Sequence, residues 1–375
     1  MTRLFLFGTL MWGDLLDHVA GRPVACAPAT LPGRHVERAA AGDWPVLLSG
    51  GEARGLLTEP LAPEALARLD HYEAVYGYGF EDLEVVGPDG AVRARVYRGR
   101  EQGAGSWSLD AWRAARGALT RLAAEEIMRS HGREPPEAVA RRLGQIRARA
   151  QSMLDARAHR RATTVGQGTP AAAVHIVERG FIHEGFQRAE AWRIDHPRFD
   201  GTRSGPVCRE IAHVSDAATV LPYDPARDRV LLVEQLRIGP LAKGDPLPWM
   251  LEPVAGLVDA GETPETTALR ELEEEAGLRV GAGALHLVAR YYPSPGGLAQ
   301  VLTSYVALCD LPDGAAGLHG LASEHEDIRG HLVAFDALMG MVASGEAANA
   351  PTILSAQWLA LHRGRFRKTG GRAMR

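Results

Sequence analysis

Between Gly256 and Leu278 the stretch GLVDAGETPETTALRELEEEAGL places six glutamates and one aspartate in 23 residues, with Arg270 as the only cation. Carboxylates at this density either make a solvated acidic face or hold a hard divalent cation, which takes clustered oxygen ligands. The local pattern is a loop followed by a helix. Thr263 or Thr266 suits the N-cap, Pro264 the first turn, and Gly277 stops the helix after Ala276. At helical spacing Leu269, Leu272 and Ala276 share one face, which should be buried. Glu271, Glu274 and Glu275 stand three and four residues apart and form a separate stripe, at a cost of roughly a few tenths of a kcal/mol per like-charged pair. The preceding loop adds Asp259 and Glu262. A bound cation would relieve that repulsion, so the segment points to metal chemistry.

The rest of the chain bounds what that chemistry can serve. A length of 375 residues suggests two or three domains, each able to bury a core. A net charge of −4 argues against a nucleic-acid binder, and the basic run RGRFRKTGGRAMR reads as a solvated tail. Cys26, Cys208 and Cys309 lie far apart without metal spacing, as expected of a reducing, cytoplasmic setting. The apolar opening is short and soon meets Asp14, Asp17 and His18, unlike a secretory signal, and no apolar stretch reaches membrane-spanning length.

Three regions follow one another. Residues 1 to about 100 read as short strands (RLFLFGTL, RGLLTEPL, EDLEVVG, AVRARVYRG) with a turn at Pro88-Asp89-Gly90 and one helix near Pro63 to Tyr72. Residues 106–160 are rich in Ala, Arg and Leu at helical spacing, broken at Pro135-Pro136, and carry no recognisable chemistry. GQGTP, Gly166 to Pro170, reads as a hinge. Strands then return from Ala171, and the chain closes with helices near 335–344 and 350–362.

The acidic segment resembles the Nudix box, G-x5-E-x7-R-E-U-x-E-E-x-G-U with U aliphatic, at Gly256, Glu262, Arg270, Glu271, Leu272, Glu274, Glu275, Gly277 and Leu278. Residues from about 172 to 365 resemble the ADP-ribose pyrophosphatase branch of that family, through CREI (Cys208–Ile211), VLLVEQLRIG (Val230–Gly239), EPVAG (Glu252–Gly256), SPGG (Ser294–Gly297) and GLHGLASEHEDIRGH (Gly317–His331). The resemblance implies a hydrolase of a nucleoside diphosphate sugar that needs Mg²⁺, with Mn²⁺ as a substitute. It implies metal binding by Glu271, Glu275, Glu326 and the carbonyl of Ala255, with Glu274 a weaker ligand, and a general base at Glu324. Arg270 would fix the loop through Glu262. Arg209 and Arg237 would hold phosphates, Glu210 a ribose, and Phe186 an adenine, with Leu257 and Ser294, Pro295 and Gly296 lining the rest of the substrate site. Val214, Gln187 and Gln300 stand where close relatives carry Arg, an aromatic and Glu, which leaves another ADP-sugar or a dinucleotide as alternative substrates. The same branch exchanges a segment between subunits, which implies a homodimer.

FGTL, Phe7 to Leu10, and LDHYEAVYGY, Leu69 to Tyr78, together resemble the γ-glutamylcyclotransferase and AIG2-like family over residues 3 to about 100. That resemblance implies a loop, here Phe7, Gly8, Thr9 and Leu10, that holds a γ-glutamyl compound, and a catalytic carboxylate at Glu73. Phe7 replaces the usual Tyr and Ala74 a common Gly, so a non-catalytic binding module is the alternative. The expected architecture is mixed α+β and α/β. A small cyclotransferase-like β-barrel domain occupies 1–103, a helical connector 104–165, and a Nudix α/β/α sandwich 166–375.

Overall fold

The computed structural model describes residues 2–99, 102–166, 168–320 and 326–370. The chain divides into two compact units, residues 1–160 and 161–375.

In the first unit the apolar LFL run forms β1 (Leu4–Leu6), buried at all three positions. It is followed by α1 (Gly13–Ala20), β2 (Cys26–Arg38), β3 (Pro45–Thr58), α2 (Pro63–Val75), β4 (Gly79–Gly87) and β5 (Gly90–Arg98). The strands close into a barrel in the order β1-β3-β2-β4-β5, sealed by the parallel pairing of β1 with β5. Phe5, Leu31, Leu57, Val85 and Val96 belong to its core. The helix α1 adds to the one helix expected in this region; Leu15, Leu16 and Val19 give it a buried face.

The segment expected as a connector forms α3 (Leu109–Trp112), a π turn over Arg113–Gly117, α4 (Ala118–Arg129), α5 (Pro136–Ala140) and α6 (Leu143–Ala158). These helices cluster with the first unit: α4 packs on α1, α2 and α6, and α5 packs on α2. A buried ion pair, Arg149 with Glu126, ties α6 to α4.

The second unit opens with a four-stranded sheet. It comprises β6 (His175–Glu184), β7 (Arg188–Asp195), β8 (Val207–His213) and the short β14 (Leu298–Ala299), in the order β14-β8-β7-β6. The larger, eight-stranded sheet contains β9 (Ala217–Asp224), β10 (Arg229–Leu236), β11 (Trp249–Glu252), β12 (Val254–Leu257), β13 (Leu285–Tyr291), β15 (Leu302–Leu308), β16 (Leu318–His319) and β17 (Ile328–Ala334). A short α7 (Ile238–Lys243) joins β10 to β11. Strand β9 is buried along its whole length, because both faces of this sheet are covered. On one face lies α8 (Pro264–Ala276), packed through Ala268, Leu272 and Ala276; on the other lie α9 (Phe335–Ser344) and α10 (Ala350–Gly370). This is the α/β/α sandwich expected.

The barrel fixes α2 through one carboxylate. Asp70 accepts from Arg95 Nη1 at 2.7 and 2.9 Å and from the Tyr97 hydroxyl at 2.7 Å, so both donors on β5 reach the helix. Charge-assisted contacts of this kind stabilise by about 1–3 kcal/mol when shielded, less when water shares them. Asp70→Ala should therefore lower the first unit's unfolding free energy by about 1–2 kcal/mol, read as a lower denaturant midpoint at unchanged slope.

Candidate functional site

The second unit's acidic segment folds as the spacing predicts at its ends. Thr263 caps α8 and makes a reciprocal capping box with Thr266, and Gly277 ends it in the left-handed conformation at φ 63°. Its buried face differs in detail. Leu269 is only half-buried, while Thr267, Ala268, Leu272 and Ala276 are buried. More telling, Glu271 and Glu275 are themselves buried, at 8% and 1% exposure, instead of lying on a solvated stripe.

Arg270 organises these acids. Its guanidinium donates to Glu262 at 3.0 and 3.1 Å, to Glu271 at 2.7 Å, to Glu274 at 2.8 Å and to the carbonyl of Leu257 at 3.4 Å. Glu275 accepts from the amide of Ala255 at 2.9 Å. The strand β12 passes so close that a Cβ on Gly256 would stand 1.7 Å from Glu271 Oε1, so only glycine fits there. Burial pushes the Glu271 carboxyl up to about 7, against the pull of Arg270, and the charges of Glu274 and Glu326 push the same way. Burial likewise pushes Glu275 up to about 8; the Ala255 amide opposes this, and Glu271 and Glu326 add to it.

These acids suit a divalent cation. Buried carboxyls that disfavour each other's ionised forms are what a metal's charge would compensate. Among the described residues no group of three or more His, Cys, Asp or Glu side chains is placed to hold a metal ion by itself. Mg²⁺ needs none, because it keeps several waters and takes one or two carboxylates together with substrate phosphates. Glu324 lies outside the described residues.

The expected substrate residues are more dispersed. Ser294, Pro295 and Gly296 form an exposed turn whose continuation, β14, pairs in parallel with Ala212 and His213 of β8. The same strand carries Arg209 and Glu210, both exposed, and Phe186 is 58% exposed in the turn between β6 and β7. Arg237 is engaged by Glu252 at 2.5 Å. Leu257 lies half-buried on β12. Of the departures, Gln300 donates to the carbonyl of Ser215 at 2.8 Å, which occupies it structurally.

The first unit holds a cavity of about 460 Å³. Phe7, Gly8, Thr9 and Leu10 line it, and Glu73 projects into it from the last turn of α2. Among the described residues nothing donates to the Glu73 carboxyl, and burial pushes it up to about 8. Tyr72 and Tyr76 stand beside it with ring centroids 5.2 Å apart. Motif spacing did not foreshadow the remaining lining residues Trp112, Arg116 and Arg147, which come from the segment read as a connector. Their only signal was helical periodicity, which marks a packed helix but not what it packs against.

Family models match both parts of the chain that hold these residues. A family model described as NUDIX domain matches residues 214–355, and one described as Gamma-glutamyl cyclotransferase, AIG2-like, matches residues 4–114. The chain is 40% identical over 189 residues to the ADP-ribose pyrophosphatase of Escherichia coli strain K12, an alignment covering 50% of this chain and 88% of that protein. It is 37% identical over 191 residues to that of Haemophilus influenzae, covering 50% and 87%. A GDP-mannose pyrophosphatase of Salmonella paratyphi B is 32% identical over 160 residues, covering 42% and 81%. With the acidic helix, its arginine clamp and this extent of similarity, the chain belongs to the Nudix family, and it carries an AIG2-like gamma-glutamyl cyclotransferase domain ahead of the Nudix domain.

Proposed function

We propose that the second unit hydrolyses the diphosphate of ADP-ribose to AMP and ribose 5-phosphate, with Mg²⁺ as cofactor. What supports this most is the retention of the whole acidic set around Arg270 in a chain 40% identical to an ADP-ribose pyrophosphatase. Bound metal would neutralise phosphate oxygens and lower the pKa of a water. Glu271, Glu275 and Glu326 would hold it, with Glu274 at the edge. Arg270 keeps the carboxylates from splaying apart, and the Ala255 amide orients Glu275. Glu324 is assigned as the general base on the SEHEDI motif. Arg237 would bind a phosphate by exchanging Glu252 for it, since both offer a pair of anionic oxygens to its fork.

The Salmonella relative and the altered positions Val214, Gln187 and Gln300 favour testing breadth. Purified protein should convert ADP-ribose to AMP in the presence of Mg²⁺, with kcat/KM above that for GDP-mannose, dinucleotides and triphosphates. A panel in which ADP-ribose ranks near the bottom would assign a different nucleoside diphosphate sugar. Glu275→Gln should reduce turnover at least about a hundredfold, and Glu324→Gln about 10²–10⁴-fold with substrate still bound. Full activity of either variant, or of the wild type in excess chelator, would remove the corresponding assignment.

A homodimer is also proposed. Ile176, Val177, Phe181, Ile182 and Phe186 leave an exposed apolar surface on β6 and the following turn, of the kind that covers itself by association. Among the described residues no helix is long and apolar enough to cross a membrane.

For the first unit we propose γ-glutamyl cyclotransfer, on the position of Glu73 in the cavity lined by Phe7–Leu10. The α-amino nitrogen of a γ-glutamyl compound attacks its own side-chain carbonyl carbon. A new C–N bond forms, the original amide C–N bond breaks, and 5-oxoproline and an amine result. Glu73 takes a proton from the α-ammonium and delivers it to the leaving nitrogen; the attacking nitrogen sheds a second proton as the ring closes, and the expelled amine or solvent takes it up. Only ionised Glu73 can accept that proton, and ionisation grows as pH rises through about 8. The rate of 5-oxoproline release should therefore climb with pH through that value, and Glu73→Gln should abolish it. A limb at the ordinary carboxylate value of 4.5 would contradict the role.

A further inference from the structure

Two segments expected to line the second unit's substrate site belong to separate elements. Leu257 ends β12, and the 294–296 turn leads into β14. Both are tied to the connection between β8 and β9, Val214, Ser215 and Asp216.

The arm that descends from the turn is sewn to that connection bond by bond. The amides of Gly297 and Leu298 donate to the Ser294 carbonyl at 3.3 and 3.0 Å, which closes the turn. The Gly297 carbonyl accepts from the Ala212 amide at 2.8 Å, and the Ala299 carbonyl from the Val214 amide at 3.4 Å. Gln300 Nε2 donates to the Ser215 carbonyl at 2.8 Å. The Val301 amide donates to Asp216 Oδ1 at 2.9 Å, and the Val301 carbonyl accepts from the Ala217 amide at 3.1 Å. From there β15 runs parallel to β9.

Asp216 holds the other segment as well. Its carbonyl accepts from the Val258 amide at 2.8 Å, one residue past Leu257, whose own carbonyl accepts from Arg270 at 3.4 Å. Ser215, Val258 and Val301 are 2%, 5% and 4% exposed, so an amide stripped of its acceptor here finds little water to replace it. Asp216 thus stands between the clamp that gathers the acids and the turn expected to hold the diphosphate sugar. Its two attachments differ in kind. The main-chain oxygen holds the loop after β12 and survives any substitution, whereas the side chain holds the turn's arm and can be removed alone. Of the bonds named along the arm, those of Gln300 and Asp216 come from side chains, and there the sequence sets the turn's place.

We propose that Asp216 and Gln300 are positioning residues. They fix the 294–296 turn against Leu257, and so set how tightly the diphosphate sugar is held, without touching it. This rests on the hydrolase reading above.

The test separates binding from turnover in full-length protein. Asp216→Ala should raise KM for ADP-ribose about tenfold, the scale of one buried bond lost. Because Arg270 and the Ala255 amide still hold the acids of α8, kcat should stay within about threefold, the signature of lost uniform binding. The Mg²⁺ concentration for half-maximal rate should not move. Asp216→Asn keeps an Oδ1 acceptor and should retain the wild-type KM. A substitution that only destabilises the fold lowers apparent kcat and the denaturant midpoint but leaves KM in place. That result, or an Asn variant as impaired as the Ala variant, overturns the proposal while hydrolysis stands. Should Asp216→Ala yield no folded protein, Gln300→Met cuts the neighbouring bond: a raised KM at unchanged kcat supports the role, and an unchanged KM overturns it. A wild type inactive on ADP-ribose instead overturns the reading for that substrate, and the same comparison on whichever nucleoside diphosphate sugar it cleaves decides the positioning role. Inactivity on the whole panel overturns both.

Discussion

A guanidinium offers five N–H donors in one plane, and Arg270 spends its donors on Glu262, Glu271, Glu274 and the carbonyl of Leu257. The second unit's site depends on that clamp. Without it, a loop acid and a helix stripe would repel one another across the gap between β12 and α8. With it, the loop is tied to the helix at the point where Gly256 lets the strand approach. The clamp is incomplete by construction. Glu275 takes an amide and, among the described residues, no ion-pair partner, and burial leaves both it and Glu271 reluctant to ionise. A charge deficit of that kind, on helix residues that cannot move far, is what the proposed divalent cation would fill.

The first unit handles its acids by the opposite division. Asp70 is saturated by Arg95 and Tyr97 and holds α2 to the barrel. Three residues on, Glu73 has no donor among the described residues and faces a largely aromatic cavity. One carboxylate positions the helix so that the next can stay unpaired. An ion pair at Glu73 would stabilise its charged form and leave it a poor proton acceptor; the apolar surroundings keep its affinity for a proton close to that of the task.

Sequence pattern exposed the elements whose signals are local. The Thr263 cap and the Gly277 stop depend on neighbours a few residues apart. It misjudged features decided at long range. Leu269 was expected in the core, but the sheet meets α8 nearer Ala268, and the helix rotates enough to bury Glu271 and Glu275. Helix α1 was hidden because its buried stripe occupies only two turns and begins with Gly13 and Asp14. Much of the lining around half-buried Glu73 comes from segments far along the chain, which no local pattern joins to it.

The 104–165 segment marks the limit of motif reading most clearly. Its residues match no chemical pattern, because lining a cavity requires no fixed spacing; it needs only side chains that face a cavity built by others. The reacting groups are constrained by bond lengths and proton transfers, so they recur as FGTL and a following Glu. The helices appended after the barrel supply part of such a lining through Arg116, Leu119, Leu143 and Arg147, each placed there by the packing of α4 and α6 and not by a motif.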